Sequence, residues 1–306
     1  MSGVALWLGM TVGESNVALA AARAVACAHG VRCEDAVVIA AGSNVLVHLK
    51  PTPIVARVMT GTAALHDDIA RWLEREVAVG AFVAERGGPV VPPSDLLAPG
   101  PYQQYGFWMT FWKFVAHEPA DRAPDAREVG RSMRELHTVL AGFAGDLEPL
   151  SSVCNQIERQ LAQLRPCPWL SEKDIELLRA ELERLTPTVF ETSLPAQAIH
   201  GDAGLSNLLQ TRTQLLWNDL EDVCAGPVAW DLAGLIASAR AHRRSETYVQ
   251  EILDGYGCRD LKALAPFLDA DALYAAVWQA FDTQRRRPAR TTAPTRLKQW
   301  LGQSAD

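Results

Sequence analysis

The first third of the chain alternates short apolar runs with turn residues. Polar turns that contain glycine or proline separate three such runs, which cover residues 36–40, 45–49 and 54–59. This pattern predicts antiparallel strands joined as a meander. The alanine-rich stretch before them predicts a helix that is capped by Ser15 or Asn16 and ends at Gly30.

Helical periodicity begins after the meander. Ile69, Leu73 and Val77 fall on one face of a predicted helix, which a Gly-Gly-Pro sequence ends. A proline-rich stretch then leads into residues 107–115, whose aromatic side chains favour a strand. A strand-rich island over residues 198–222 interrupts the second part of the chain. The remainder of that part is helical, over residues 126–144, 155–164, 172–185, 230–241, 246–256 and 272–285.

These elements predict an α+β chain made of two lobes. Residues 1–115 form a small β-rich lobe with one key helix, and residues 1–30 add an extra helical segment to it. Residues 116–306 form a larger, mainly helical lobe that contains a hairpin. Small-molecule sites are common in the cleft of such a layout, so a small-molecule site is expected there.

Polar side chains with oxygen ligands gather around the predicted hairpin. Apolar runs at 208–209 and 215–217 flank a polar turn, so Asn207 at its entrance and Asp219 at its exit become neighbours. Asp202 lies in the loop just upstream. Mg²⁺ prefers oxygen ligands and takes few of them from protein when nucleotide phosphates are present. Asn207 and Asp219 are therefore predicted to hold the metal, and Asp202 to accept the proton of an attacking hydroxyl.

The ordered motifs around this hairpin carry a family resemblance. They are HGDxxxxN from His200 to Asn207, DLED from Asp219 to Asp222, and PVAWDL from residue 227. Together they resemble the aminoglycoside phosphotransferase and choline-kinase-like superfamily. The resemblance implies a protein-kinase-like fold and phosphorylation of small-molecule hydroxyls with Mg²⁺ and ATP, with GTP as the alternative donor.

The resemblance also implies a role for each matching residue of the helical lobe. Asp202 is the expected catalytic base, and His200 supports its loop. Asp231 is the expected structural aspartate that steadies this loop. Asn207 and Asp219 are the expected metal ligands, and the neighbouring positions that support the metal or touch the substrate are Glu221 and Asp222.

In the small lobe the resemblance implies a nucleotide site. Arg57 is expected to grip the α- and β-phosphates, and Glu76 is its expected helix-borne partner. The turn before the second strand is expected to lie near the phosphates, and the predicted strand over residues 107–115 to offer backbone groups to adenine. The residues concerned are Ser43 and Asn44 in the turn, and Trp112 and Phe114 in the strand.

Three positions depart from the family pattern. Arg57 stands where kinases carry lysine, although a guanidinium also binds phosphate well. The turn over residues 41–44 has a single glycine, and Gly204 stands where relatives commonly have a histidine. A catalytically weak nucleotide-binding scaffold of the same fold is therefore an alternative to an active kinase.

Composition narrows the class of protein further. The 306 residues carry a net charge of −7, which argues against a broadly basic nucleic-acid surface. The six cysteines show no CxxC spacing, and no segment has the length of a membrane span or the pattern of a leader. A cytoplasmic protein that binds neither nucleic acid nor membrane is expected, and its oligomeric state is not predicted.

The acceptor is the least determined part of the prediction. An aminoglycoside or another antibiotic-like molecule is favoured, and a metabolic kinase of choline, amino-acid or sugar type is the alternative. A metal-dependent hydrolase that uses His200, Asp202, Asp219 and Asp222 is a third hypothesis. Acidic residues on the variable helices are candidates to meet a polycationic acceptor, namely Glu246, Glu251, Asp254, Asp269 and Asp271.

Overall fold

The computed structural model of the chain describes residues 12–60, 68–119, 123–258, 260–286 and 290–303. It divides into two compact units. Unit 1 takes in the chain up to Ala123 together with Leu208–Asp222, and unit 2 takes in Pro124–Asn207 and the chain from Val223 onwards. The sequence predicts two contiguous lobes that divide at residue 115, whereas the units interleave because one hairpin returns to unit 1.

Unit 1 is built on a five-stranded antiparallel sheet with the strand order β1-β2-β3-β5-β4. The predicted meander is present to within one residue. The short strand β4 was not predicted, because it follows a proline-rich stretch and has only three residues. The strands of this sheet are β1 Val37–Ala41, β2 Asn44–His48, β3 Ile54–Met59, β4 Tyr102–Gln104 and β5 Phe107–Lys113.

Two helices accompany the sheet. Helix α1, Val12–Ala28, packs small buried side chains against it. It begins before the predicted caps Ser15 and Asn16, which lie inside the helix, and Glu14 in its first turn suits the positive end of the helix dipole. Helix α2, Ile69–Glu85, begins where the Asp68 carboxylate accepts the N–H of Arg71 at 3.1 Å. The expected helical segment over 1–30 is described only from residue 12.

The hairpin of strands β7, Leu208–Gln210, and β8, Leu215–Trp217, belongs to unit 1. The N–H of Val91 donates to the Trp217 carbonyl at 2.8 Å, and the N–H of Trp217 donates to the Pro89 carbonyl at 2.9 Å. The Trp217 side chain is fully buried. These backbone bonds fix the segment that carries Asp219 and Glu221 within unit 1.

Unit 2 consists mainly of helices around the short antiparallel pair β6, Gln197–Ile199, and β9, Cys224–Gly226. Helix α8 starts earlier than predicted, since a proline near a helix start is compatible with its first turn. The C-terminal helix α9 was not predicted. The helices are α3 Ala126–Leu140, α4 Ser151–Gln163, α5 Glu172–Leu185, α6 Ala229–Ala241, α7 Glu246–Tyr256, α8 Ala265–Arg286 and α9 Thr295–Gln303.

Glycines allow α3 and α7 to approach each other closely. A Cβ at Gly130 of α3 would lie 2.0 Å from the Ile252 carbonyl oxygen, and a Cβ at Gly255 of α7 would lie 2.2 Å from the Arg127 carbonyl oxygen. Both obstructing atoms are backbone. Neither helix can keep its present position if either glycine gains a side chain.

Across the residues that the structure describes, no helix combines the length and apolar character that a membrane crossing requires.

Gly130→Ala is expected to destabilise the protein by about 2–3 kcal/mol, because two backbones must separate to make room for the methyl group. Gly302→Ala is the matched control, since Gly302 is also helical and a Cβ there meets nothing within 4 Å. The control should leave stability unchanged or slightly increased. Urea unfolding of both variants measures the difference, and equal stabilities would contradict the close contact of α3 with α7.

Candidate active site

The loop after β6 is held by one buried carboxylate. Asp231, in the first turn of α6, is fully buried. It accepts the backbone N–H of His200 at 2.7 Å and that of Gly201 at 2.9 Å. Gly201 has a φ of +87°, a left-handed conformation that glycine adopts without strain. The loop backbone is thereby fixed just before Asp202.

The same carboxylate continues into a polar chain inside unit 2. His137 Nε2 lies 2.9 Å from Asp231 Oδ2, and its Nδ1 lies 2.9 Å from the Tyr256 hydroxyl. An ionised carboxylate only accepts, so Nε2–H donates to Asp231 and, in the neutral imidazole, Nδ1 accepts from Tyr256. Burial alone would raise the pKa of Asp231, but the hydrogen bond and charge of His137 lower it. Burial, followed by the charge of Asp231, raises the pKa of Tyr256 to about 12.

Asp202 and Asn207 are brought together at the exposed side of this loop. The Asn207 side-chain amide donates to the backbone carbonyl of Asp202 and to its Oδ2, both at 2.9 Å. The Asp202 N–H points to His200 Nδ1 at the long distance of 3.4 Å. The Trp230 indole N–H donates to the Gly201 carbonyl at 2.8 Å. Asn207 therefore orients the carboxylate of Asp202, while the other bonds hold the backbone of its loop.

In unit 1, Arg57 is buried among three carboxylates. Its Nη1 donates to Glu76 Oε2 at 2.8 Å. Its Nη2 lies 2.9 Å from Asp219 Oδ1 and also contacts Glu221 Oε2. Asp219 has a φ of +63°, which is uncommon for a residue other than glycine and better tolerated by aspartate than by most others. One guanidinium thus binds α2 and the segment after β8 to strand β3.

The charges of this cluster do not balance, because three acids surround one cation. Burial would lower the pKa of Arg57, but the charges of Glu76 and Asp219 outweigh it and raise the pKa. Burial raises the pKa of Glu76 to about 7, although Arg57 opposes this shift. The folded state therefore binds a proton at Glu76 more tightly than the unfolded chain does. Its contribution to stability grows as the pH falls from about 7 towards 4.5.

The other predicted nucleotide-binding residues lie in unit 1. The Asn44 side-chain amide donates to Glu221 Oε2 at 3.3 Å, and the Ser43 carbonyl accepts from the Thr60 hydroxyl at 3.1 Å. Trp112 lies in β5 opposite Val55, and the N–H of Phe114 donates to the Pro53 carbonyl at 2.9 Å. That N–H is therefore already engaged, and the contact of the Trp112 and Phe114 backbone with adenine stays a prediction.

Each unit offers oxygen atoms of the kind that a hard divalent cation prefers. In unit 2, Asn207 uses its amide nitrogen in both bonds to Asp202, which leaves its amide oxygen for another partner. In unit 1, Asp219 offers carboxylate oxygens beside Arg57. Within the described parts of the chain, no three His, Cys, Asp or Glu side chains form a group that could hold a metal. Phosphates and water would have to complete the coordination. The hydrolase hypothesis, which needs such a group, has no support here.

Asp222 follows Glu221 in a 3₁₀ turn, and its negative charge contributes to the raised pKa of Arg57.

A cavity of about 180 Å³ in unit 2 reveals functional candidates beyond the motifs. It is lined by Asp202 and its loop, by Asp271 on α8 and by Arg296 on α9. Asp271 is one of the five acidic candidates from the sequence. Of the others, three form ion pairs on the surface, namely Asp254 with Arg127, Asp269 with Arg184 and Glu246 with Arg240. Arg296 carries no sequence signal, because α9 was not predicted.

The sequence profile of the phosphotransferase enzyme family (APH) matches residues 42–267. Among curated protein sequences, none matches this chain. Similar solved structures include the aminoglycoside phosphotransferase APH(3'')-Id from Streptomyces rimosus, at 19% identity and a TM-score of 0.63, with 87% of this chain and 99% of that chain covered. An amicoumacin kinase in complex with AMP-PNP and Ca²⁺ has 11% identity and a TM-score of 0.68, with coverages of 94% and 100%.

A choline/ethanolamine kinase family protein from Mesorhizobium loti is also similar, at 16% identity and a TM-score of 0.63, with 97% of this chain and 93% of that chain covered. These likenesses establish the fold as that of the protein-kinase-like small-molecule kinases. The profile match extends over well more than half of the chain, so the chain belongs to the phosphotransferase enzyme family. The resemblance predicted from the motifs is confirmed.

Arg57→Met is expected to destabilise the protein by about 3–5 kcal/mol at pH 7, because it leaves buried carboxylates without their cation. The loss should shrink at pH 5, where protons replace the missing charge. Lys113→Met is the matched control, since its ion pair with Asp95 at 2.7 Å is exposed and worth little. Urea unfolding at both pH values tests this, and a loss no greater than that of the control would contradict a structural role for Arg57.

Proposed function

We propose that this protein transfers a phosphoryl group from ATP to a hydroxyl group of a small molecule, with GTP as the alternative donor. The observation that carries the proposal is the fixed position of Asp202. Asn207 orients its carboxylate, Asp231 holds the backbone before it, and the side chain faces a cavity of about 180 Å³ in unit 2. A carboxylate held in this way can receive the proton of a hydroxyl bound in the cavity.

The residues of unit 2 then have distinct tasks. Asp202 accepts the hydroxyl proton at its carboxylate as the oxygen attacks the γ-phosphorus atom. His200 and Asp231 position the loop, and Asn207 orients the base with its amide nitrogen. Catalysis of this kind comes from alignment and charge stabilisation more than from covalent chemistry by the protein.

The residues of unit 1 supply the nucleotide site in this proposal. Arg57 exchanges Asp219 and Glu221 for phosphate oxygens at Nη2, while Glu76 keeps Nη1 in place. Asn207 and Asp219 would hold Mg²⁺, which supplies neutralising charge on the phosphates when it is bound. Glu221 and Asp222 support this site, and the turn with Ser43 and Asn44 lies at the start of β2. The amicoumacin kinase complex with AMP-PNP and Ca²⁺ supports a nucleotide with a divalent cation.

The proposal has two forms, which differ in the molecule that accepts the phosphoryl group. An antibiotic-like acceptor fits the aminoglycoside phosphotransferase among the similar structures. A small metabolic alcohol fits the cavity better, because clefts that enclose a drug-sized molecule measure roughly 300–1,000 Å³. A catalytically weak scaffold remains the alternative if nucleotide binds without turnover. A cytoplasmic location with no nucleic-acid or membrane partner stays a prediction.

Asp202→Asn is expected to lower kcat by roughly 10²–10⁴-fold, because the amide cannot accept the proton. The Kd for ATP should change little, since the substitution leaves Arg57 and its partners untouched. Asp35→Asn, in an exposed loop of unit 1, is the control and should keep full activity. A coupled assay of ADP release, with an acceptor that the wild-type protein phosphorylates, measures kcat. Wild-type turnover by Asp202→Asn would refute the assignment of Asp202 as the base.

ATP with Mg²⁺ is expected to raise the Tm, because a ligand that binds only the folded state stabilises it by about 2.7 kcal/mol at 100 times its Kd. Asp219→Asn should remove the Mg²⁺-dependent part of this shift. The comparison uses the shift within each variant, because the substitution also removes a partner of Arg57. Parallel titrations with GTP identify the donor. No shift with either nucleotide would contradict a nucleotide site.

A further inference from the structure

Three charged side chains face the cavity that Asp202 lines. Asp202 belongs to the loop, Asp271 to α8 and Arg296 to α9. With both carboxylates ionised, these walls carry a net charge of −1. Among the residues that line the cavity, these three carry the charged side chains.

Asp271 is enclosed without a partner. It is half-buried and makes no hydrogen bond or ion pair with any described residue. A Cβ on Gly234 of α6 would lie 3.5 Å from Asp271 Oδ1 and 3.0 Å from the Ala203 carbonyl oxygen, so the carboxylate lies close to the loop of Asp202. Burial, followed by the charge of Asp202, raises the pKa of Asp271 to about 6, while Arg296 opposes this shift. Such a group is stabilised when a cation binds beside it.

Arg296 is the complementary charge in the lining of the same cavity. Its backbone N–H donates to Gln279 Oε1 at 2.9 Å, but its guanidinium forms no ion pair with any residue in the described ranges. Arg296 also lines a second cavity of about 500 Å³. The other charged side chains of that cavity are already paired, Arg240 with Glu246 at 2.8 Å and Asp269 with Arg184 at 3.1 Å. Arg296 is therefore shared by the two cavities, and of the two the smaller one also contains the uncompensated carboxylate of Asp271.

Aromatic rings complete the walls. Trp230, Tyr274 and Trp278 line the cavity, and the ring centroids of Trp230 and Tyr274 lie 6.4 Å apart. The bond from Trp230 to the Gly201 carbonyl fixes its ring relative to the loop. Aromatic faces attract cations, so these rings favour an ammonium group beside Asp271.

We propose that the acceptor is a small hydroxy-amino acid, whose hydroxyl meets Asp202, whose ammonium pairs with Asp271 and whose carboxylate pairs with Arg296. This inference rests on the proposed function and names its substrate class. The acceptor oxygen forms a bond to the γ-phosphorus atom, and the bond from that phosphorus to the β–γ bridging oxygen breaks. The leaving electron pair stays on ADP, and the hydroxyl proton passes to Asp202 and then to solvent.

The charges distinguish this acceptor from its competitors. An amino alcohol without a carboxylate leaves Arg296 unpaired, and a neutral sugar leaves both Asp271 and Arg296 unpaired. A polycationic aminoglycoside places additional ammonium groups towards Arg296. A molecule with one cationic and one anionic group can pair with Asp271 and Arg296 at the same time.

The first experiment compares matched acceptors with the full-length protein, ATP and Mg²⁺. L-homoserine and L-serine are tested against ethanolamine and choline, which lack the carboxylate, and against kanamycin. ADP release and product mass report phosphorylation. The hydroxy-amino acids are expected to show kcat/KM values roughly tenfold or more above those of ethanolamine and choline, the value of one charged hydrogen bond.

The outcomes separate this inference from the proposed function. Phosphorylation of kanamycin, choline or ethanolamine in preference to both hydroxy-amino acids overturns the inference and leaves the kinase function intact. If no acceptor is phosphorylated, calorimetric titration of L-homoserine and L-serine decides, and the absence of binding by both overturns the inference. Failure of ATP and Mg²⁺ to bind overturns the proposed function as well.

Variants test the two charges separately. Asp271→Asn is expected to raise the KM of the acceptor roughly tenfold or more, with the KM of ATP unchanged. Arg296→Gln should do the same for L-homoserine but leave the KM of ethanolamine unchanged. Asp269→Asn, whose partner is Arg184, is the control and should alter neither. Unchanged acceptor KM values in both test variants refute the assignment.

Two further measurements exclude a merely structural role for Asp271. Asp271→Asn should raise the Tm at pH 8, because it removes repulsion with Asp202, and should leave it nearly unchanged at pH 5. In the wild type the acceptor KM should rise below about pH 6, where Asp271 takes up a proton, and this rise should vanish in Asp271→Asn. The other ionisable groups that line the cavity are Asp202, Arg296 and Tyr274, and all three stay in place in that variant.

Discussion

The structure of unit 2 depends on the hydrogen bonds that the buried Asp231 carboxylate accepts. A buried charge without partners costs several kcal/mol, and here the loop N–H groups of His200 and Gly201 and the imidazole of His137 satisfy it. Because these donors come from the loop after β6 and from α3, one side chain of α6 ties three parts of the chain together. The Tyr256 hydroxyl extends these contacts to α7. The backbone of the loop that presents Asp202 is therefore held from the interior, although Asp202 itself is exposed.

The buried charges of unit 1 have the reverse arrangement, because one cation, Arg57, lies among three carboxylates. Arg57 holds Glu76 on one nitrogen and shares the other between Asp219 and Glu221. One nitrogen thus keeps a buried pair with Glu76, while the other lies between two further acids. Arginine suits this arrangement better than lysine, since its planar guanidinium can donate hydrogen bonds to two partners at fixed angles. The departure from the kinase lysine is consistent with that geometry.

Much of the fold could be predicted from the sequence. Short apolar runs between turns mark β1–β3, and the helical period of apolar residues in α2, α5 and α7 matches their buried faces. The motifs also indicated the family. The elements that were missed, β4 and α9, are short and depend on tertiary packing. The sequence could name Arg57 and Asp219 but could not show that they pair without a ligand. The cavity of Asp271 and Arg296 was hidden for a similar reason, since only the packing of α8 and α9 against the Asp202 loop brings distant residues together.

The return of the β7–β8 hairpin to unit 1 affects how the chain is made. The backbone bonds of Val91 and Pro89 to Trp217 cannot form until more than a hundred further residues have been synthesised. During synthesis, the first strands of the sheet therefore leave the ribosome before Arg57 can form its contacts with Asp219 and Glu221. Unit 2 begins to emerge during that interval, so neither unit can mature as a separate step of translation. A protein stopped before residue 222 would lack part of both units, so the two units are completed only late in synthesis.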